Sequence, residues 1–117
     1  MAQDGACGLD VALAVIGGKW KPLVLFHLNG QSRRFSELRR LVTRISEKVL
    51  IQQLRELEAD GIVIRTDHQE VPPRVDYAMT DFGRTLASAL VPLCGWGDAN
   101  RDRVDRIQQA RSAKSAA

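Results

Sequence analysis

Two runs, FSELRRLV and RISEKVLIQQLRELEADG, lie one behind the other between residues 35 and 61, and they constrain the fold more than any other feature of the chain. The second contains Ser46, whose side-chain oxygen can satisfy a free N–H at a helix start, and carries Leu50, Leu54 and Leu57 at helical spacing. It closes at Gly61, a residue that tolerates the left-handed backbone that ends helices. The stretch SELRRLV over 36–42 reads as a shorter helix capped by Ser36, with Leu38 and Leu41 on one face and Phe35 just before it. A short capped helix, a Thr-Arg connection and a longer capped helix together predict a helix-turn-helix over residues 36–60.

With Leu50, Leu54 and Leu57 turned inward, a helical wheel places Lys48, Gln52 and Arg55 on the opposite face, and Ser46 and Glu47 at the exposed N-terminus. Lys, Gln and Arg are the side chains that reach phosphates and purine edges in a major groove, although any solvated helix carries the same types. Between residues 33 and 48, the cations Arg33, Arg34, Arg39, Arg40, Arg44 and Lys48 face only Glu37 and Glu47, while the whole chain has a net charge of +3. This segment therefore carries more than the entire excess. Such a field suits a polyanion such as DNA, and an ordinary solvated helix face has the same composition.

After Gly61 the periodicity changes. IVIRTD and RVDYAMT alternate apolar with polar residues and are rich in β-branched ones, which predicts two antiparallel strands joined through HQEVPP, a wing over 62–79. Pro72 and Pro73 lack the N–H that a ladder needs and preset their own φ, so they hold the tip out of regular pairing and stiffen it. Arg74 at its base and His68 and Gln69 at its tip are placed to touch a backbone or minor groove, and a plain loop-breaking role for the prolines needs no such contact.

The flanks read as helices. LDVALAVIGG predicts a short, largely buried helix closed by Gly17 and Gly18, and KPLVLFHLNG a second with Pro22 at an early position and Gly30 at its exit. At the other end, Thr80 caps a helix over 80–109 whose stripe of Phe82, Leu86, Leu90, Leu93 and Trp96 extends to Val104 and Ile107, with Pro92, Gly95 and Gly97 as points of interruption. A stripe of this reach needs a cover, either the same helix of a second copy or the first helix of its own chain. ARSAKSAA, residues 110–117, is expected to be disordered.

A chain of 117 residues with 44% hydrophobic content fits one domain, expected over 1–109. No apolar run nears the roughly 20 residues that span a bilayer, and MAQDGACGLD lacks the order of a signal peptide, so a soluble, cytoplasmic protein without membrane contact is expected. Cys7 and Cys94 do not form a secreted disulfide framework, and their spacing to His27 and His68 matches no zinc pattern, so no metal and no cofactor are expected. Paired catalytic carboxylates, a nucleophile with its base and a phosphate-binding glycine loop are all missing, and Gly17, Gly18 and Lys19 lack the rest of a P-loop. The chain does not read as an enzyme.

The run GGKWKPLVLFHLNGQSRRFSELRRLVTRISEKVLIQQLRELEADGIVIRT, followed by VPPRVDYAMTDFGRTL, resembles the HxlR-type winged helix-turn-helix transcriptional regulators of bacteria over roughly residues 7–97. GGKW, RRFSEL, the IS before the leucine-spaced helix, ADG and PPRVDY carry the resemblance together, and each alone would be weak. It implies an α+β, mainly α fold: a winged helix-turn-helix with amino- and carboxy-terminal dimerisation helices. It also implies a homodimer on a pseudo-palindromic double-stranded DNA operator, with the two helices that start at Ser46 about 34 Å apart.

On that reading the DNA contacts are Arg34, Ser36, Arg40, Arg44, Ser46, Glu47, Lys48, Gln52, Arg55, His68, Gln69 and Arg74, and the dimer interface holds Leu9, Leu13, Leu86, Leu90, Leu93 and Trp96. The chain would regulate transcription, as a repressor in the first instance with an activator left open; the alternative is a winged-helix module for protein interaction, for which Ile51, Glu47 and Glu56 leave room. Members often have Cys-Pro-Val near the start, and in some this cysteine senses oxidants or electrophiles; here Cys7 is followed by Gly8. Cys7 is thus a candidate redox sensor if a helix dipole favours its thiolate, and an inert packed thiol otherwise, while Cys94 is expected to pack in the apolar stripe. Trp20, Phe26, Tyr77 and Trp96 are candidates either for a small-molecule effector pocket or for the core.

Overall fold

The computed structural model describes residues 7–116. The elements run α1 (Gly8–Ile16), α2 (Trp20–Leu28), β1 (Arg33–Arg34), α3 (Phe35–Leu41), α4 (Glu47–Ala59), β2 (Val63–Asp67), β3 (Val75–Met79), α5 (Asp81–Ala99) and α6 (Arg101–Ala116). The chain divides into two compact units, with the boundary between Ala87 and Ser88, inside α5. No described side chain beyond Ala87 is buried.

The amino-terminal unit holds the winged helix-turn-helix. Its core is aliphatic: Val24, Leu25 and Leu28 from α2, Leu38 from α3, Leu50, Leu54 and Leu57 from α4, and Ile62 and Val63 from the start of the wing are all buried. The leucines of α4 recur every three or four residues, so one stripe of that helix is sealed and the opposite stripe faces solvent. Gly30 and Gly61 take positive φ values of 87° and 76°, which lets the chain leave α2 and α4 without the steric cost that a Cβ would bring.

The sheet has three strands in the order β1-β3-β2, all antiparallel, rather than the two expected. β1 has only two residues, both arginine, too short and too polar to show a strand period. In the register of β2 with β3, Val63 pairs with Met79 and Arg65 with Tyr77, so Val63, Tyr77 and Met79 turn to the core. Two helix starts differ in detail from expectation. Thr80 does cap α5, its Oγ1 accepting from Gly83 N–H at 2.9 Å. The cap position of α3, however, is Arg34 and not Ser36: the Arg34 N–H donates to Glu37 Oε1 at 2.9 Å, and Ser36 lies within the first turn.

α1, expected to be largely buried, has no buried residue, and Leu9, Val11 and Leu13 stand 65%, 63% and 48% exposed. Its apolar residues find too little surface to cover them within one chain. In the carboxy-terminal unit, the single helix expected over 80–109 is broken at Asn100, whose side-chain Nδ2 donates to Trp96 O at 2.9 Å and closes the end of α5. Residues 110–116, expected to be disordered, continue α6, a segment of Arg, Gln, Ala and Lys whose helix propensities are high. Among the described residues, no single helix is long and apolar enough to cross a membrane.

Candidate nucleic-acid interface

The outward face of α4 is set by its first turn. Ser46 Oγ accepts from Val49 N–H at 3.1 Å, fixing where the helix starts and therefore which side chains face out. Ser46, Glu47, Lys48, Gln52 and Arg55 are exposed, as the wheel requires. Glu47 reaches Arg39 of α3 at 3.6 Å, a solvent-exposed pair that spans the two helices and contributes little energy. Gln52 Nε2 donates to Glu56 Oε2 at 3.3 Å. Glu47, Lys48, Ile51, Gln52, Arg55 and Glu56 line a shallow groove of about 600 Å³ on this face.

A second, larger cleft of about 650 Å³ opens between α3, α4 and the wing. β1 makes it possible: by pairing Arg34 with Asp76 it brings the start of α3 against the wing strand β3. Four arginines line it, Arg34, Arg55, Arg65 and Arg74, along with Ser36 and Tyr77, and Glu58 is the only acidic residue in the lining. Arg65 is loosely paired with Asp67 at 3.8 Å and Arg74 with Asp76 at 3.1 Å. Among the described residues, Arg34 and Arg55 have no ion-pair partner. A concave site with this imbalance attracts anions.

The wing is organised by one carboxylate. Asp76 accepts from Arg74 Nη2 at 3.1 Å and meets His68 Nε2 at 3.0 Å, while His68 N–H bonds to Arg74 O at 3.0 Å across the base of the loop. The Arg74 hydrogen bond, aided by His68, holds the Asp76 carboxyl below the usual carboxylate range. Gln69 has a positive φ of 53° and donates its N–H to Asp67 Oδ1 at 2.8 Å, and the loop tip leaves Val71 98% exposed.

Four of the twelve residues expected to contact DNA, Arg34, Ser36, Arg55 and Arg74, share the large cleft. Glu47, Lys48 and Gln52 join Arg55 in the outer groove, so Arg55 lines both. Ser46 sits at the start of α4, and Arg40 and Arg44 are exposed on α3 and in the turn, Arg44 with a positive φ of 71°. His68 and Gln69 line neither depression. Arg65 also lines the large cleft and is not among the expected contacts, and Tyr77, expected in a pocket or the core, lies beside it. The signal for Arg65 is the strand alternation itself, which sets it opposite Tyr77 in the register.

Cys7 is the residue before α1 and is exposed, its Sγ 3.9 Å from Asp10 Oδ2. Cys94, expected to pack, is exposed as well, because the face of α5 that carries it has no cover. Of the residues expected at a dimer interface, Leu9 and Leu13 are exposed, Leu86 and Leu90 half-buried, and Leu93 and Trp96 exposed at 65% and 59%. Of the four aromatics that are candidates for an effector pocket or for the core, Tyr77 is buried and lines the arginine cleft, Trp20 is half-buried, and Phe26 and Trp96 are 58% and 59% exposed.

A search against family models matches residues 15–105 to the HxlR-like helix-turn-helix family. The HTH-type transcriptional regulator YdeP of Bacillus subtilis is 43% identical over 92% of this chain and 84% of its own length, and YkvN of the same organism is 50% identical over 79% and 78%. Among solved structures, the redox regulator HypR in its reduced form superimposes with a TM-score of 0.79 at 44% identity, covering 86% of this chain and 99% of that one. With the winged helix-turn-helix in place and the family match spanning most of its length, the chain belongs to the HxlR-like helix-turn-helix family of transcriptional regulators.

Proposed function

We propose that this chain is a homodimeric, sequence-specific DNA-binding repressor. The observation that carries the reading is the placement of Arg55 between two depressions, a reading face with Lys48 and Gln52 on one side and a four-arginine cleft shared with the wing on the other. α4 enters the major groove, where Gln52 and Arg55 meet base edges and Lys48 and the amino end meet phosphates. The cleft arginines take the adjacent backbone, and Arg40 and Arg44 extend the phosphate track along α3 and the turn. Occupancy of an operator that overlaps a promoter then blocks transcription.

The apolar residues of α1 and α5 left in solvent support dimerisation, since a second copy would bury Leu9, Leu13, Leu93 and Trp96 against their equivalents. Two copies would set two α4 helices on a pseudo-palindromic site about 34 Å apart. Cys7 is the sensing residue of the proposal: it is free and exposed at a helix start, and the similar HypR is named a redox regulator. Reaction of its thiol with an external oxidant, which takes up the electrons, changes the dimer and with it the spacing of the reading heads.

Fluorescence anisotropy of the reduced protein on its own upstream intergenic DNA and on a scrambled duplex, across a salt series, tests the reading. Tighter binding to the native fragment with a steep salt slope is expected, because phosphate contacts release counterions and only base or shape readout separates the two duplexes. Complete absence of binding at low salt would refute it and favour a protein-interaction module.

A further inference from the structure

Gln52 is not a free side chain, and what holds it reaches back into the core. Its Nε2 donates to Glu56 Oε2 at 3.3 Å, one helical turn along α4. The other oxygen of the same carboxylate, Oε1, lies 2.6 Å from Lys21 Nζ. Lys21 belongs to α2, and its side chain is only 11% exposed, against 44% for that of Glu56. A lysine in that position is costly unless its charge is met, so the pair is kept closed by the penalty of opening it. Each carboxylate oxygen of Glu56 therefore has one partner, one in the core and one on the reading face.

We propose that Glu56 is a positioning residue, anchored by buried Lys21, that orients the Gln52 amide for base reading. This rests on the DNA-reading function proposed above. An ionised carboxylate only accepts hydrogen bonds, so the end of the Gln52 amide turned toward Glu56 is the NH₂ group and the carbonyl is held away from it. Nε2 keeps a second N–H. Recognition of adenine by glutamine needs the carbonyl and an N–H presented together, and an amide fixed in this sense supplies both without ordering them at the moment of binding. Lys21 has a second effect: it balances a carboxylate on a face that must approach phosphates. The hydrogen bonds from Lys21 and Gln52 hold the Glu56 carboxyl below the usual range, so it remains an acceptor at neutral pH.

The test is a base-substitution scan of an operator recovered by selection from a random duplex pool, read by competition anisotropy, with thermal melts to confirm folding. Gln52→Ala identifies the operator position at which discrimination falls roughly tenfold. Glu56→Ala is expected to relax that same position about threefold or more while discrimination at the other positions is kept. Should the stranded Lys21 unfold that variant, the double variant Lys21→Met with Glu56→Leu refills the site with apolar groups and still removes the acceptor, and it should relax the same position. Full discrimination there in a folded variant overturns the proposal, as does an equal loss at every position. If the wild type separates operator from random DNA but Gln52→Ala relaxes no position, this proposal alone falls; if the wild type separates nothing, the DNA-reading function falls with it.

Discussion

Thr80 Oγ1 donates to Gly61 O at 2.6 Å and accepts from Gly83 N–H at 2.9 Å, so one hydroxyl fastens the end of α4 to the beginning of α5. Thr80 N–H adds a bond to Ile62 O at 3.0 Å. The approach is close enough that a Cβ at Gly83 would collide with the Ile62 carbonyl, a backbone atom that cannot swing aside. Thr80→Ala is expected to cost about 1 kcal/mol through the lost cap, and Gly83→Ala about 1–3 kcal/mol through overpacking. Urea titration followed by circular dichroism reads both. A Gly83→Ala chain as stable as the wild type would show that α5 does not dock on Ile62.

Asp76 gives the wing a defined response to acid. Its carboxyl is depressed chiefly by the Arg74 hydrogen bond and also by His68. A carboxylate depressed in the folded state adds stability that is complete above its unfolded pKa of about 3.9 and declines as pH falls through the lower folded value. Amide protection of β2 and β3 should therefore hold at neutral pH and fall below about pH 4. In Asp76→Asn the protection should be weaker at neutral pH and lose this acid step. Amide hydrogen exchange of both proteins across that range is the measurement, and an acid step retained in Asp76→Asn would assign it elsewhere.

How much of this the sequence announced depended on the size of the signal. Ser46, Thr80, Gly30 and Gly61 mark element ends by local chemistry that needs no tertiary context, and the leucines of α4 sort its inner and outer faces. β1 could not be read, because two arginines carry no period and their strand state exists only by pairing with β3. The same blind spot hid the arginine cleft: Arg34 and Arg74 are 40 positions apart in the sequence and meet only through that pairing. Ser36 reads as the cap because serine is the usual one, whereas Glu37 captures the N–H of Arg34 and moves the cap two residues earlier.

Arg55 and Arg40 should behave differently on DNA. Arg55 lines both depressions beside Gln52, whereas Arg40 lies exposed on α3 and lines neither. Arg55→Ala should weaken operator binding by about 1–3 kcal/mol and relax specificity, while Arg40→Ala should weaken operator and random DNA alike and reduce the salt slope by about one. Equal loss on both duplexes for Arg55→Ala would move it from base reading to phosphate contact.

If Cys7 transmits oxidation, Cys7→Ser must uncouple it. The thiol is exposed at the start of α1, with Cys94 exposed on α5 as the natural control. Anisotropy with a mild oxidant such as diamide should show release of operator from the wild type and from Cys94→Ser, and none from Cys7→Ser. Release that persists without Cys7 would remove it from the mechanism.

The proposed dimer makes a quantitative demand on binding. Leu93 and Trp96 stand 65% and 59% exposed on one stripe of α5, and Leu9 and Leu13 are similarly bare on α1. Leu93→Glu puts a charge where a second copy would have to desolvate it, so sedimentation at micromolar protein should show a monomer where the wild type is a dimer. Since no buried core residue is touched, the melting of the amino-terminal unit should change little. A monomer binds each half-site independently and loses the gain from engaging both together, worth roughly a hundredfold or more in apparent affinity. Random-DNA binding should fall far less, because each reading head keeps its own phosphate contacts. A Leu93→Glu chain that still sediments as a dimer would place the interface on another surface.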